Sequence, residues 1–202
     1  VATSSHENCY DEVEDKTLAA VEALEDQMDA AVVAAHAADA TAATLKTARE
    51  NLNAALTGCL LREYDLSTQL FNLKNASTGL YMTIVATEST DQNAGGVQIK
   101  ALVEKNSKQM FQLVAAKGGY KIKSAEKFFL TAFSSWGFKA TGTDSEAAGH
   151  EIAYVGEGKY TLKSAKGYVG SNNGATSDGA CMYSNHDAGK DNIYWTLEPV
   201  AK

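Results

Sequence analysis

After position 65 the sequence contains no arginine; all 14 of its basic residues there are lysines. Arginine supplies the planar, forked donor that reads phosphates and guanine edges. With no basic cluster either, nucleic acid is not expected as a partner. Long apolar runs are missing too. The longest, Ala30 to Ala35, is short, alanine-rich and flanked by Asp29, far below the roughly 20 residues that span a bilayer. Cysteine is scarce: Cys9, Cys59 and Cys181 are too few for a disulfide framework and lack metal-site spacing. The histidines His6, His36, His150 and His186 are scattered, without metal-like partners at helical or hairpin spacing. There is no G-x-S-x-G, no glycine-rich phosphate loop before a helix and no H-E-x-x-H. The chain is therefore read as not an enzyme, with no catalytic residues, no metal site and no cofactor. It begins at Val1 without an initiator methionine or signal peptide, as a processed form or an excised piece would.

What is present divides the chain in two. Residues 1–65 hold 13 Asp and Glu against 4 Lys and Arg, a balance of −9, and only Tyr10 and Tyr64 of the 17 aromatics. Residues 66–202 hold 12 acids against 14 lysines, a balance of +2. In the first part, Leu18, Val21, Leu24, Met28, Val32 and Ala35 recur at steps of three and four, one face of a helix. Ala37 to Thr41 reads as a turn, with Asp39 or Thr41 able to cap a second helix. That helix carries Leu45, Ala48, Leu52 and Leu56, and Gly58 stands where a helix C-terminus favours glycine. An acidic antiparallel helical hairpin is expected over 1–65, leaning on a neighbour such as a third helix before Asp15. Folding back of residues 1–10 would bring Cys9 to Cys59, and a disulfide there would imply an oxidising compartment.

The second part is organised by a six-residue phrase that occurs three times: Phe71-Asn72-Leu73-Lys74-Asn75-Ala76, Tyr120-Lys121-Ile122-Lys123-Ser124-Ala125 and Tyr160-Thr161-Leu162-Lys163-Ser164-Ala165. A period of 49 and then 40 residues marks one supersecondary unit repeated. Four short alternating runs fall in each unit, cut by Gly, Asn, Asp and Ser. Twelve strands in three lobes, about 66–115, 116–156 and 157–200, predict a β-trefoil. The fold class is thus α+β in two domains, a helical hairpin followed by an all-β trefoil. Phe71, Tyr120 and Tyr160 are expected in the core, as are Leu73, Ile122 and Leu162, then Met82, Leu130 and Val169, and Phe111, Ile152 and Trp195. Val97, Trp136 and Cys181 are read as a further matched inward set.

The run Thr78-Gly79-Leu80-Tyr81-Met82, with Gly96-Val97-Gln98-Ile99 and Gln109-Met110-Phe111, resembles one repeat of the ricin-type β-trefoil lectins, whose repeats read G-K-x-L-D, G-x-x-V-Q-L-W and Q-x-W. The resemblance covers residues 66–200. The helix Leu45 to Leu56 resembles the second helix of FIVAR-type modules of bacterial surface proteins and extracellular enzymes, implying a spacer or sugar-associated appendage. The lectin resemblance implies a sugar site in each lobe: an Asp after the second strand, a stacking aromatic at the end of the third, and an Asn before Q-x-W. Matched residue by residue, the Asp position holds Thr83, Thr131 and Gly170, and the stacking position Lys100, Lys139 and Ser184. The Asn position holds Lys108, Gly149 and Asn192, so only Asn192 fits and the triad is read as not intact.

A rebuilt site is expected in the third lobe, where Tyr168 and Tyr183 can stack on a sugar. Asn172, Asp178, Asn185, His186, Asp187 and Asn192 gather polar groups around them. The same Asn, Asp, Gly and Ser residues are also those tight turns use. The function expected is a non-catalytic, lectin-like carbohydrate-binding module of an exported bacterial protein, extracellular, cell-surface or periplasmic, whose partner is a glycan or polysaccharide. The alternative is a protein-interaction, spacer or inhibitor-type module without glycan binding, using the loops Ala86–Gly96 and Thr141–Gly149, with the hairpin as a docking surface for another domain or protein.

Overall fold

A computed structural model describes residues 21–61, 64, 66–91, 95–134 and 136–201. The chain divides into two compact units between Tyr64 and Asp65. The expected third helix before Asp15, and the Cys9–Cys59 pairing, lie outside the described residues.

The first unit is a helical hairpin of α1, described over residues 21–36, and α2, Ala42–Leu61. Thr41 starts α2. Its Oγ1 accepts from the Thr44 N–H at 3.1 Å while Thr44 Oγ1 accepts from the Thr41 N–H at 2.9 Å, which satisfies two donors that a helix start leaves open. Two expectations change here. The α1 residues least exposed are Leu24, Gln27, Ala31 and Ala34, whereas Met28 is 52% and Val32 58% exposed. Both sets have helical spacing, and small side chains permit the closer approach of two helices. Gly58 does not end α2, which runs one turn further to the fully buried Leu61.

The second unit contains twelve strands: β1 Phe71–Asn75, β2 Tyr81–Ile84, β3 Val97–Lys100, β4 Phe111–Ala116, β5 Gly119–Ser124, β6 Phe129–Ala132, β7 Phe138–Thr141, β8 Glu151–Gly156, β9 Lys159–Ser164, β10 Gly167–Ser171, β11 Ala180–His186 and β12 Tyr194–Pro199. Six of them close a ring. β1 pairs β4, β4 pairs β5, β8 pairs β9, β9 pairs β12, and β12 returns to β1. The remaining joint, between β5 and β8, is the Tyr120–His150 bridge, whose two N–H···O bonds are both 2.8 Å. Closure leaves no barrel edge to recruit another strand. The hairpins β2–β3, β6–β7 and β10–β11 form the cap.

The repeated phrase now has a physical content. Its aliphatic residue fills the barrel, since Leu73, Ile122 and Leu162 are all inaccessible to solvent. Its lysine crosses to the first residues of the cap strand, placing Nζ of Lys74, Lys123 and Lys163 over the rings of Tyr81, Phe129 and Tyr168 at 5.7, 5.4 and 5.6 Å. Such pairs contribute ~0.5–1 kcal/mol at exposed sites. Its small polar residue, Asn75, Ser124 or Ser164, is buried and accepts a backbone N–H of the following turn, from Thr78, Phe128 or Lys166. The aromatic that opens the phrase is less uniform. Phe71 is fully buried, whereas Tyr120 and Tyr160 are only half-buried, because a phenol keeps its hydroxyl near polar company.

Candidate functional site

Strand register in the three cap hairpins fixes which residues correspond, and it shifts two expected equivalences. Ile84 faces Val97, Ala132 faces Phe138, and Ser171 faces Met182. Val97, Phe138 and Met182 are the buried matched set, in place of Val97, Trp136 and Cys181. Cys181 is buried all the same, one residue before Met182, and burial pushes its thiol pKa up. Trp136 lies two residues before Phe138 and is only partly covered. The expected stacking positions move as well. Opposite Tyr81 stands Lys100, opposite Phe129 stands Thr141, and opposite Tyr168 stands His186. Lys139 instead faces Thr131, and Ser184 is fully buried, donating to the Gly137 carbonyl at 3.1 Å. An irregularity in β10–β11 between Tyr168 and Gly170 displaces the third lobe by one residue, which a count along the sequence does not reveal.

A cleft of about 430 Å³ opens at the end of β11. One wall is aromatic: Trp136 meets Tyr183 edge to face at 4.6 Å, and Tyr183 stacks at 6.4 Å and 21° on the imidazole of His186. Asn173, Asn185, Asp187 and Lys190 supply the polar lining. Asn173 has φ +47°, a left-handed conformation that asparagine tolerates better than most residues.

His186 is half-buried. Burial lowers its pKa, an effect opposed by the neighbouring backbones of Gly170 and Ser171, so the ring is neutral at pH 7. Its Nε2 lies 3.3 Å from Asn192 Nδ2, which also donates to the Ser171 carbonyl at 2.6 Å. Asn192 fits because position 170 is glycine: a Cβ there would stand 2.7 Å from the Asn192 carbonyl oxygen. A second cleft of about 500 Å³ adjoins the first, with Asn173, His186 and Lys190 common to both. Ser77, Gly174, Thr176, Asp191 and Asn192 complete it.

Of the residues predicted from sequence, Tyr183, Asn185, His186 and Asp187 line the first cleft and His186 and Asn192 the second. The others stand apart. Tyr168 lies under Lys163, Asp178 pairs with Lys100 at 3.6 Å, and Asn172 turns its Oδ1 inward, buried with no hydrogen-bond partner among the described residues. Trp136, read from the repeat as core ahead of sugar platform, also lines the first cleft, and Lys190 was not predicted in the site. Trp136 belongs to the second lobe and Ser77 to the first, so reading lobe by lobe misses them.

The equivalent ground in the other two lobes is occupied by ion pairs. In the second lobe Lys139 reaches Glu146 at 2.9 Å and Glu88 at 3.5 Å. Glu88 comes from the first-lobe loop, where its φ is +55°. It accepts the Gly142 N–H at 2.6 Å, and its own N–H donates to the Ala140 carbonyl at 2.7 Å. The Gly142 bond, chiefly, lowers the Glu88 pKa, and Glu146 raises that of Lys139.

No family profile matches the sequence, and no curated protein is similar to it. Similarity is found in structure. A designed threefold-symmetric protein, ThreeFoil, aligns with 65% of this chain and 99% of its own at 20% identity and a TM-score of 0.52. A ricin B-like lectin of Macrolepiota procera, solved with lactose, aligns with 64% of this chain and 94% of its own at 11% identity and a TM-score of 0.50. An exo-β-1,3-galactanase of Clostridium thermocellum aligns over 66% of this chain but 30% of its own, at 21% identity and a TM-score of 0.51. At such identities the likeness is one of fold: the part after residue 65 is a β-trefoil of the kind ricin B-like lectins have.

Proposed function

We propose that this chain is a non-catalytic carbohydrate-binding module of an exported bacterial protein, with its sugar site in the third-lobe cleft. The observation that carries this is the aromatic wall of Trp136 and Tyr183 beside Asn173, Asn185 and Asp187. A pyranose offers C–H bonds on one face and hydroxyl pairs on its edge, and such a wall with short amide and carboxylate groups answers both. Lactose beside the similar Macrolepiota procera lectin fold, and a galactanase sharing the fold, make galactose-containing glycans the first to try. In this reading the ricin-type triad is absent from all three lobes. The ion pairs of Lys100 and Lys139 stand in place of sugar in lobes one and two.

A glycan array with wild type, Trp136→Ala and Tyr183→Ala tests the proposal. Binding by wild type that falls at least about tenfold in each variant supports it. Silence across the array, or binding untouched by both substitutions, refutes it.

A separate role for the hairpin, as a spacer or docking surface, is favoured by the outward Met28, Val32 and Val33, which are 52%, 58% and 69% exposed.

A further inference from the structure

We infer that the ligand is a neutral oligosaccharide of at least two sugar rings, lying in a groove to which all three lobes contribute. This rests on the glycan-binding reading of the same cleft. The two clefts are not independent sites. Asn173, His186 and Lys190 wall both, so a ring in one touches residues that a ring in the other also touches. Each is about 430 or 500 Å³, inside the roughly 300–1,000 Å³ of small-ligand sites.

Their linings differ in kind. The first has the aromatic wall, contributed by lobes two and three through Trp136 and Tyr183. The second has no Trp or Tyr among the described residues of its lining and is walled by short side chains, Ser77 from lobe one and Thr176 and Asp191 from lobe three. A ring seated on the aromatic wall leaves the second cleft filled with water. A further ring replaces that water with fixed donors and acceptors, and its share of the association entropy is already spent on the first.

The charges along the groove argue for a neutral chain. Lys190 stands at the junction, with Asp187 lining the first cleft and Asp191 the second. A uronate would meet one cation between two carboxylates.

The test is titration of the full chain with the monomer, dimer and tetramer of galactose, of glucose and of N-acetylglucosamine, and with tetragalacturonate. The expected result is one neutral series whose affinity rises at least about tenfold from monomer to dimer. In Thr176→Trp, whose ring would fill the second cleft, the dimer-to-monomer ratio is expected to fall toward one. A series that binds with no gain beyond the monomer, or a ratio unchanged in Thr176→Trp, overturns the two-ring groove and leaves the sugar site standing. Tetragalacturonate binding more tightly than any neutral tetramer overturns the neutral assignment. No binding by any probe overturns the glycan reading and this inference together.

Discussion

His150 offers the sharpest test of how this trefoil is held together. It stands at the joint where β5 meets β8, 1% exposed, with its ring edge-on to Phe138 at 5.7 Å. Neither ring nitrogen has a hydrogen-bond partner among the described residues. Burial lowers its pKa from 6.5 to about 4, offset only in part by the Tyr120 backbone. As pH falls below 6.5 the unfolded chain takes up this proton first. The stability tied to the neutral ring is therefore complete above 6.5 and drains away toward pH 4. A shift of this size corresponds to about 3 kcal/mol in full, of which ~2 kcal/mol is already lost near pH 5.

His150→Gln removes the titration. Phe111 in lobe one and Trp195 in lobe three occupy the matching place, paired with Phe71 and Tyr160 as His150 is with Tyr120, so His150 and not the expected Ile152 belongs to that set. Both tryptophans lie in the trefoil, so urea unfolding followed by their fluorescence reports that unit. Between about pH 8 and pH 5 the wild type is expected to lose ~2 kcal/mol more than His150→Gln. His186, whose pKa is also lowered, titrates in both proteins and cancels. Equal losses would refute the reasoning.

Trp195 is fully buried and its Nε1 donates to the Val169 carbonyl at 2.9 Å; Trp195→Ala is expected to cost ~3–5 kcal/mol in the same urea assay. Asn75 is buried, donates to the Asn192 carbonyl at 2.8 Å and accepts from Ser77 and Thr78. Asn75→Ala is expected to cost ~1–3 kcal/mol and to shift the Asn192 side-chain amide signals beside the cleft. In Glu88→Ala, hydrogen exchange at the Gly142 amide is expected to quicken. The wild-type amide should lose its protection only as pH falls through the lowered Glu88 pKa, because the depressed value means the bond favours the carboxylate. Exchange unaffected by the substitution would count against the Glu88–Gly142 bond.

The trefoil was legible because its signal is repeated. A buried aliphatic, a lysine over an aromatic and a buried small polar residue recur in each lobe, since each lobe solves the same packing problem. The face of α1 was not legible: with alanine on every side, burial contrast is weak and two helical stripes fit equally. The stacking positions were misassigned for a different reason. Matching Trp136 and Cys181, instead of Phe138 and Met182, with Val97 set the count two residues early in lobe two and one in lobe three. The irregularity in β10–β11 adds one more in lobe three, so counting placed Lys139 where Thr141 stands and Ser184 where His186 stands.

Composition and period alone determined that an acidic helical hairpin precedes three like lobes of a closed β barrel, and that the third lobe gathers short polar residues around its tyrosines. Only the tertiary structure decided which of those polar residues meet. Closing the barrel brings Trp136 of lobe two and Ser77 of lobe one to the third lobe's clefts, while Asp178 is drawn off to Lys100. Packing within a lobe recurs along the chain, whereas a groove to which several lobes contribute is made by residues with no fixed spacing.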